Sequence, residues 1–312
     1  MDRTIAKGRS ICRSAAIAIF VSGLLALPVM ARPAYETILL DAQTGQVLSE
    51  LNGDVPTPPA SLTKMMTLYL TFEALKQGRV QLDQTLPVSD YAARRAPSKL
   101  GLKPGEAISV QDLILGVVTK SANDAAVVLA EALGGNEADF AQQMNSTARR
   151  LGMNSTVYYN ASGLPDPNQR TTARDVARLA LALYQELPHE CRLFSTRFFV
   201  FRGQQLRNHN HLLDSYPGLD GIKTGFVNAS GFDLAASAVR DGRRLIGVVM
   251  GGHSAASRDR QMAALLDQGF ADIGIGQGAP GPAASVQPSA SSRPAQARHR
   301  SIARARVRHR HG

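Results

Sequence analysis

The sequence predicts one α+β domain, in which strands from both ends of the folded part share one antiparallel sheet and the helices between them pack against it. Three patterns carry that reading. Thr37-Ile38-Leu39-Leu40 and Gln46-Val47-Leu48 are short apolar strands separated by a turn-like segment, 41–45. Between residues 62 and 184 apolar residues recur at helical spacing. From Arg197 onward strand patterns return, and 232–239, Asp241-Gly242 and 244–250 read as a hairpin closed by an Asp-Gly turn.

In chain order, the opening hairpin is followed by a Pro-rich polar loop over 51–60 and then by a helix that carries Ser61 and Lys64. Its residues Leu62, Met65, Met66, Tyr69, Leu70, Phe72 and Leu75 are apolar on most sides, so the helix is expected at the centre, with Gly78 as its stop. Residues 79–109 are irregular, with short strand-like pieces and the turn Lys103-Pro104-Gly105-Glu106. Helices follow over 110–118, 125–133 and 137–151, and 159–165 is a loop. Thr172 caps a helix to Tyr184, with Asp175 at the capping-box position. Phe198-Phe199-Val200-Phe201 and Gly221-Ile222-Lys223-Thr224-Gly225 are strands, and a helix over 257–270 closes the domain.

The ends differ from this middle. Residues 1–31 open with Arg3, Lys7, Arg9 and Arg13, continue with an apolar run from Ser14 to Met30, and end in Val29-Met30-Ala31, the pattern of a cleaved secretory signal. The run is long enough to serve instead as an uncleaved anchor. The tail 277–312 is Ala, Pro, Ser and Gly followed by Arg and His, which predicts disorder. The expected organisation is therefore a signal over 1–31, a domain over 32–276 and the tail. The net charge of +10 divides as +3 in the first segment and +7 in the last, which leaves 32–276 neutral. A core without a basic face of its own argues against nucleic acid as a partner. The arginine-rich tail suggests electrostatic attraction to an anionic envelope surface. With Cys12 inside the signal, Cys191 has no partner for a disulfide and reads as a small buried residue.

Ser61 and Lys64 stand one helical turn apart on one face, which brings a hydroxyl beside an amine. By itself that pair describes any helix start with a capping serine and a solvated lysine. Two later motifs change its weight. Ser121-Ala122-Asn123 follows about sixty residues on, and Lys223-Thr224-Gly225 about a hundred after that. Ser-x-x-Lys, Ser-x-Asn and Lys-Thr-Gly in that order form the set of penicillin-binding proteins and serine β-lactamases.

The chain further resembles the D-alanyl-D-alanine carboxypeptidases, low-molecular-mass penicillin-binding proteins of the serine DD-peptidase family. The resemblance runs through 59–67, Leu102-Lys103-Pro104-Gly105, 121–126, 220–226, Thr172-Ala173-Arg174-Asp175 and Val249-Met250-Gly251-Gly252, and covers roughly residues 35–272. It implies the β-lactamase/DD-peptidase-like fold, peptidoglycan stem peptides as substrate, β-lactams as inhibitors and no cofactor or metal. It also implies a nucleophilic Ser61 whose proton is taken by a neutral Lys64, since a serine hydroxyl needs such a base. Lys223 would hold Lys64 neutral as a second cation. Ser121 would relay a proton to the leaving nitrogen, and Asn123 would hold the substrate backbone together with Lys64. Lys223, Thr224 and Arg258 would meet the terminal carboxylate. Gly225 would let a substrate strand approach the sheet edge, and the backbone N–H groups of Ser61 and Phe226 would form the oxyanion hole.

The expected activity is removal of the terminal D-alanine through an acyl-enzyme on Ser61. A DD-endopeptidase would use the same residues on cross-links, and the lack of a second β-rich domain leaves it open. A class A β-lactamase would need a deacylating Glu in a Glu-x-x-Leu-Asn-like loop, which the chain lacks, so penicillin is expected to acylate and linger. A non-catalytic wall-binding relative is disfavoured by the intact motifs. His209 and His211 alternate as on a strand, the pattern of a metal pair, but no third ligand of suitable spacing stands out.

Overall fold

The computed structural model describes residues 35–276; the expected signal and the basic tail lie outside the described residues. The domain opens with the hairpin of β1 (Glu36–Asp41) and β2 (Val47–Leu51). A 3-10 turn over Ala60–Leu62 leads directly into α1 (Thr63–Lys76). The irregular stretch that follows holds β3 (Thr85–Pro87), α2 (Asp90–Ala93) and β4 (Ala107–Ser109). Then come α3 (Val110–Leu115), α4 (Asn123–Gly134), α5 (Glu137–Arg150) and α6 (Ala173–Glu186). The chain closes with β5 (Phe198–Phe201), β6 (Gln204–Arg207), α7 (Leu212–Ser215), β7 (Leu219–Val227), β8 (Gly231–Arg240), β9 (Arg243–Gly252) and α8 (Ala255–Asp272).

The main sheet has the order β2-β1-β9-β8-β7, all antiparallel, so the N-terminal hairpin does join the C-terminal strands. Side chains alternate between its faces. Leu39, Leu234, Leu245 and Val249 of the sheet pack with Met262, Leu266 and Phe270 of α8. Ile38, Leu40, Ile246, Val248 and Met250 join the larger cluster built on α1, α4 and α6. The β8–β9 turn is Asp241-Gly242 with φ of 47° and 74°, the two left-handed positions that an Asp-Gly hairpin requires. The strand at 198–201 does not enter this sheet: β5 pairs with β6 in a separate ribbon. Its alternation leaves Phe198 and Val200 exposed while Phe199 and Phe201 are buried, a one-sided pattern that suits a ribbon covering one edge of the core.

As its composition predicts, α1 has no polar face. Met65, Met66, Leu68, Tyr69 and Phe72 are completely buried, each such side chain contributing roughly 1.5–3 kcal/mol. Two of its three buried threonines find partners, Thr71 Oγ1 donating to the Thr67 carbonyl within the helix and Thr67 Oγ1 to that of Ala161 in the neighbouring loop, while the Thr63 hydroxyl has none. The helix ends at Lys76, with Gly78 in the left-handed region two residues on. Thr172 caps α6 by accepting from the Asp175 N–H, but the capping box is incomplete. The Asp175 carboxylate instead accepts from the Ser155 N–H, the Thr156 hydroxyl and Arg178, which anchors the preceding loop. Among the described residues no helix is long and apolar enough to cross a membrane.

Candidate active site

Ser61 lies in the 3-10 turn just before α1, and Lys64 is the second residue of the helix, completely buried. The Lys64 side-chain nitrogen, Nζ, is 2.9 Å from Ser61 Oγ and donates to the Ser162 carbonyl at 2.5 Å. Ala60 takes a left-handed φ of 46°, a strained conformation for a residue with a Cβ, and this re-aims the chain immediately before Ser61. The turn is locked from outside by the loop over 159–165. A Cβ on Gly163 would stand 1.7 Å from the Ala60 carbonyl oxygen, so only glycine fits there, at a φ of 79°. The Asn160 carboxamide oxygen accepts from the Gly163 N–H, and Glu137 accepts from that of Ala161, which fixes the Ser162 carbonyl over Lys64.

The second wall begins where α3 widens into a π-helical turn over Gly116–Lys120 and ends at Ser121, in the left-handed region with φ of 58°. The Ser121 hydroxyl is buried and has no hydrogen-bond partner. Asn123 opens α4, its amide donating to the Ala96 carbonyl at 2.8 Å and its N–H to that of Ser98 at 2.7 Å. Asp124, fully buried, accepts from the N–H groups of Leu100, Gly101 and Leu102, so one carboxylate fastens the 98–102 segment to the head of α4.

The third wall is β7, the edge strand of the sheet. Lys223 is buried and donates to the Thr224 carbonyl at 2.9 Å. Gly225 packs against the Ser61 turn, since an added Cβ would lie 3.3 Å from Ala60 Cβ. Phe226 is half exposed and stacks on Phe232 with ring centres 4.4 Å apart. Arg258 of α8 is buried, donating to the Asp233 carbonyl and to Asp259.

Ser61, Ser121, Asn123, Thr224, Gly225, Phe226 and Arg258 all line one cleft of about 520 Å³. Lys64 and Lys223 stand buried behind it. Burial, then the charge of Lys223, holds the Lys64 amine well below the ordinary lysine range, with Asp124 opposing. Burial, then Arg258, lowers Lys223 to about 7. An amine of lowered pKa within hydrogen-bond distance of a serine hydroxyl is an arrangement that can activate an oxygen nucleophile. No Asp or Glu lines the cleft among the described residues.

The sequence matches the D-alanyl-D-alanine carboxypeptidase family over residues 28–254. The chain belongs to this family. It is 39% identical over 240 residues to the D-alanyl-D-alanine carboxypeptidase DacC of Escherichia coli, a match that covers 75% of the chain and 60% of that protein. Penicillin binding protein 5 from Haemophilus influenzae superposes with a TM-score of 0.73 at 38% identity, covering 76% of this chain and 70% of that one. Penicillin-Binding Protein D2 from Listeria monocytogenes, solved in its cefotaxime-bound form, gives 0.69 at 33% identity and covers 75% of this chain and 96% of that one.

Within this carboxypeptidase-family site, several details depart from the sequence reading. Lys64 bonds Ser61 and the Ser162 carbonyl rather than Asn123. Gly225 answers to crowding by Ala60 as well as to the open edge. His209 and His211 are not on a strand but in the loop before α7, and both line the cleft. Loss of water around its ring, then Lys223, Lys120, His211 and Lys64, hold His209 down at about 4, so it is neutral at ordinary pH. The flanking Asn208 and Asn210 are buried, and Asn210 donates to the Gly221 carbonyl, which explains the alternation as loop anchoring. Cys191 is buried and donates to the Leu183 carbonyl, and burial pushes its thiol up, away from nucleophilic use. Ser162 and Asp124 carry no signal that singles them out in sequence, beyond the Asn160–Gly163 turn residues and a position next to Ser-x-Asn.

Proposed function

We propose that the chain is a serine DD-carboxypeptidase that removes the terminal D-alanine from peptidoglycan pentapeptide stems, with 32–276 as its catalytic domain. The observation that carries this is the 2.9 Å contact between Ser61 Oγ and a fully buried Lys64, whose amine burial and Lys223 hold well below the ordinary lysine range. Lys64 takes the hydroxyl proton as Oγ bonds to the D-Ala-D-Ala carbonyl carbon. The oxyanion forms against the backbone N–H groups of Ser61 and Phe226. As the C–N bond breaks, the proton passes through the unpartnered Ser121 hydroxyl to the leaving nitrogen, and free D-alanine departs. Water then attacks the ester, delivering its proton back to Ser61 Oγ by way of Lys64. Asn123 holds the stem backbone, and Thr224, Lys223 and Arg258 supply the positive pole for the terminal carboxylate. With no carboxylate on the cleft wall to drive hydrolysis of a bulky adduct, β-lactams are expected to acylate Ser61 and persist.

The test is incubation of purified protein with labelled penicillin, with a pentapeptide ending in D-Ala-D-Ala, and with cross-linked muropeptide dimers. One stable penicillin adduct on Ser61, its absence in Ser61→Ala, and release of D-alanine are expected. No adduct overturns the acyl-enzyme reading, and cleavage of dimers alone moves the activity to endopeptidase. We further propose that 1–31 is removed on export and that the seven arginines of 277–312 attract an anionic envelope surface. Terminal sequencing of the exported protein that finds Met1 retained, or unchanged salt-sensitive binding to anionic vesicles after removal of 293–310, refutes the respective point.

A further inference from the structure

The head of β7 carries a feature that the catalytic roles leave unused. Leu219 pairs with Ala238 and Gly221 with Ser237, so Asp220 is an extra residue in the ladder, a β-bulge. Because side chains alternate along a strand, one residue more or less moves every later side chain to the other face. Whether Lys223 turns inward towards Lys64 and Thr224 lines the cleft therefore depends on that extra residue.

The bulge is clamped from both sides. Arg244 of β9 reaches past the middle strand, where it donates to the Ser237 hydroxyl, and meets both Asp220 oxygens at 2.9 and 2.8 Å. The Tyr184 hydroxyl of α6 donates to Asp220 at 3.2 Å, and the Arg244 guanidinium stacks 4.0 Å from the Tyr184 ring centre. A Cβ on Gly221 would lie 2.6 Å from the Tyr184 hydroxyl, so the backbone is seated directly on this cluster. On the other side the Gly221 carbonyl accepts from Asn210, which stands between the two cleft histidines.

We propose that Asp220, held by Arg244 and Tyr184, is a positioning residue that fixes the bulge and thereby the side of β7 on which Lys223 and Thr224 are presented. The proposal rests on the acyl-enzyme reading above. The titratable and charged groups facing Lys64 are Lys223 of β7 and Asp124 of α4, with His209 nearby from the loop before α7; those facing Lys223 are Arg258 of α8, His209 and Lys64. Releasing the bulge moves Lys223 away from Lys64 and removes the repulsion that helps keep Lys64 neutral.

The experiment compares wild type, Asp220→Ala, Asp220→Asn and Arg244→Gln for penicillin acylation rate against pH, for thermal midpoint, and for ζ-nitrogen titration in 15N-lysine-labelled protein. A fall of roughly 10–100-fold in acylation is expected, the scale of an ångström-sized misplacement. The acid limb of the profile and the Lys64 titration should both move to higher pH, with Asp220→Asn less affected than Asp220→Ala. A merely structural role would lower the midpoint and leave the limb in place, and that result overturns the proposal. Failure of Asp220→Asn to fold overturns it too, by making the clamp a condition of the fold. If wild type forms no adduct, the acyl-enzyme reading fails instead, and the lysine titration still decides the clamp.

Discussion

Lys64→Met folds, binds penicillin weakly and loses acylation by roughly 10²–10⁴-fold, the range that a positioned general base contributes. Methionine matches lysine in length and lack of branching, and the site is completely buried in an apolar helix, so packing survives. What disappears is the proton acceptor 2.9 Å from Ser61 Oγ. Lys64→Arg loses as much for a different reason, since a guanidinium does not deprotonate and cannot take the serine proton. The wild-type rate should rise with pH through the lowered pKa of Lys64. The same shift has a consequence for stability. A lysine whose folded pKa is depressed is neutral in the native state while the unfolded chain still binds a proton, so stability rises with pH across that window. For Lys223 the window opens at about 7 and closes near the ordinary lysine value. Acylation and denaturation profiles in the same buffers check both signs. Full acylation by Lys64→Arg at neutral pH would falsify the role given to Lys64.

The extent to which the site is readable in the chain depends on which force places each group. Ser61 and Lys64 are only three residues apart, so a local rule brings them to one face, although Ser61 stands in the 3-10 turn that leads into α1 and not on the helix itself, and the two later motifs are what give the pair its weight. The sheet order is equally accessible, because the strands at both ends are apolar and the Asp241-Gly242 turn specifies its hairpin. The groups that sequence leaves hidden are placed by long-range packing. Ser162 reaches Lys64 only because Glu137 and Thr67 bolt its loop to two helices. His209 and His211 look like alternating strand residues because Asn208 and Asn210, which alternate with them, are buried for loop anchoring rather than for a sheet. β5 has a good strand pattern, but pattern does not say which partner it takes, and it takes β6. The left-handed Ser121 and Ala60 are likewise invisible, since neither residue type advertises that conformation. Both flank the reacting hydroxyls, where strain stored by the fold aims a side chain.

Asp124→Ala lowers stability by about 3 kcal/mol, consistent with orphaning buried donors at about 1–3 kcal/mol each while solvent recovers part of the loss. The carboxylate is fully buried and accepts three consecutive backbone N–H groups, of which that of Leu102 has the least access to water. The loss appears as a lower urea midpoint with an unchanged slope if the loop alone is released. The same substitution reaches catalysis in two ways that separate by pH. The 98–102 segment steers Asn123 through the Ser98 carbonyl, so the maximal acylation rate falls. Asp124 also opposes the depression of the Lys64 pKa, so removing its charge lets that pKa fall further and moves the acid limb to lower pH. Asp124→Asn isolates the second effect, because it keeps the shape and one acceptor oxygen while deleting the charge. Its limb should move downward with a smaller loss of stability, opposite in direction to the shift expected when Lys223 is displaced. Lys64 is thus poised between one cation on β7 and one anion at the head of α4. Variants of the two sides that move the limb the same way would show that burial alone sets its protonation.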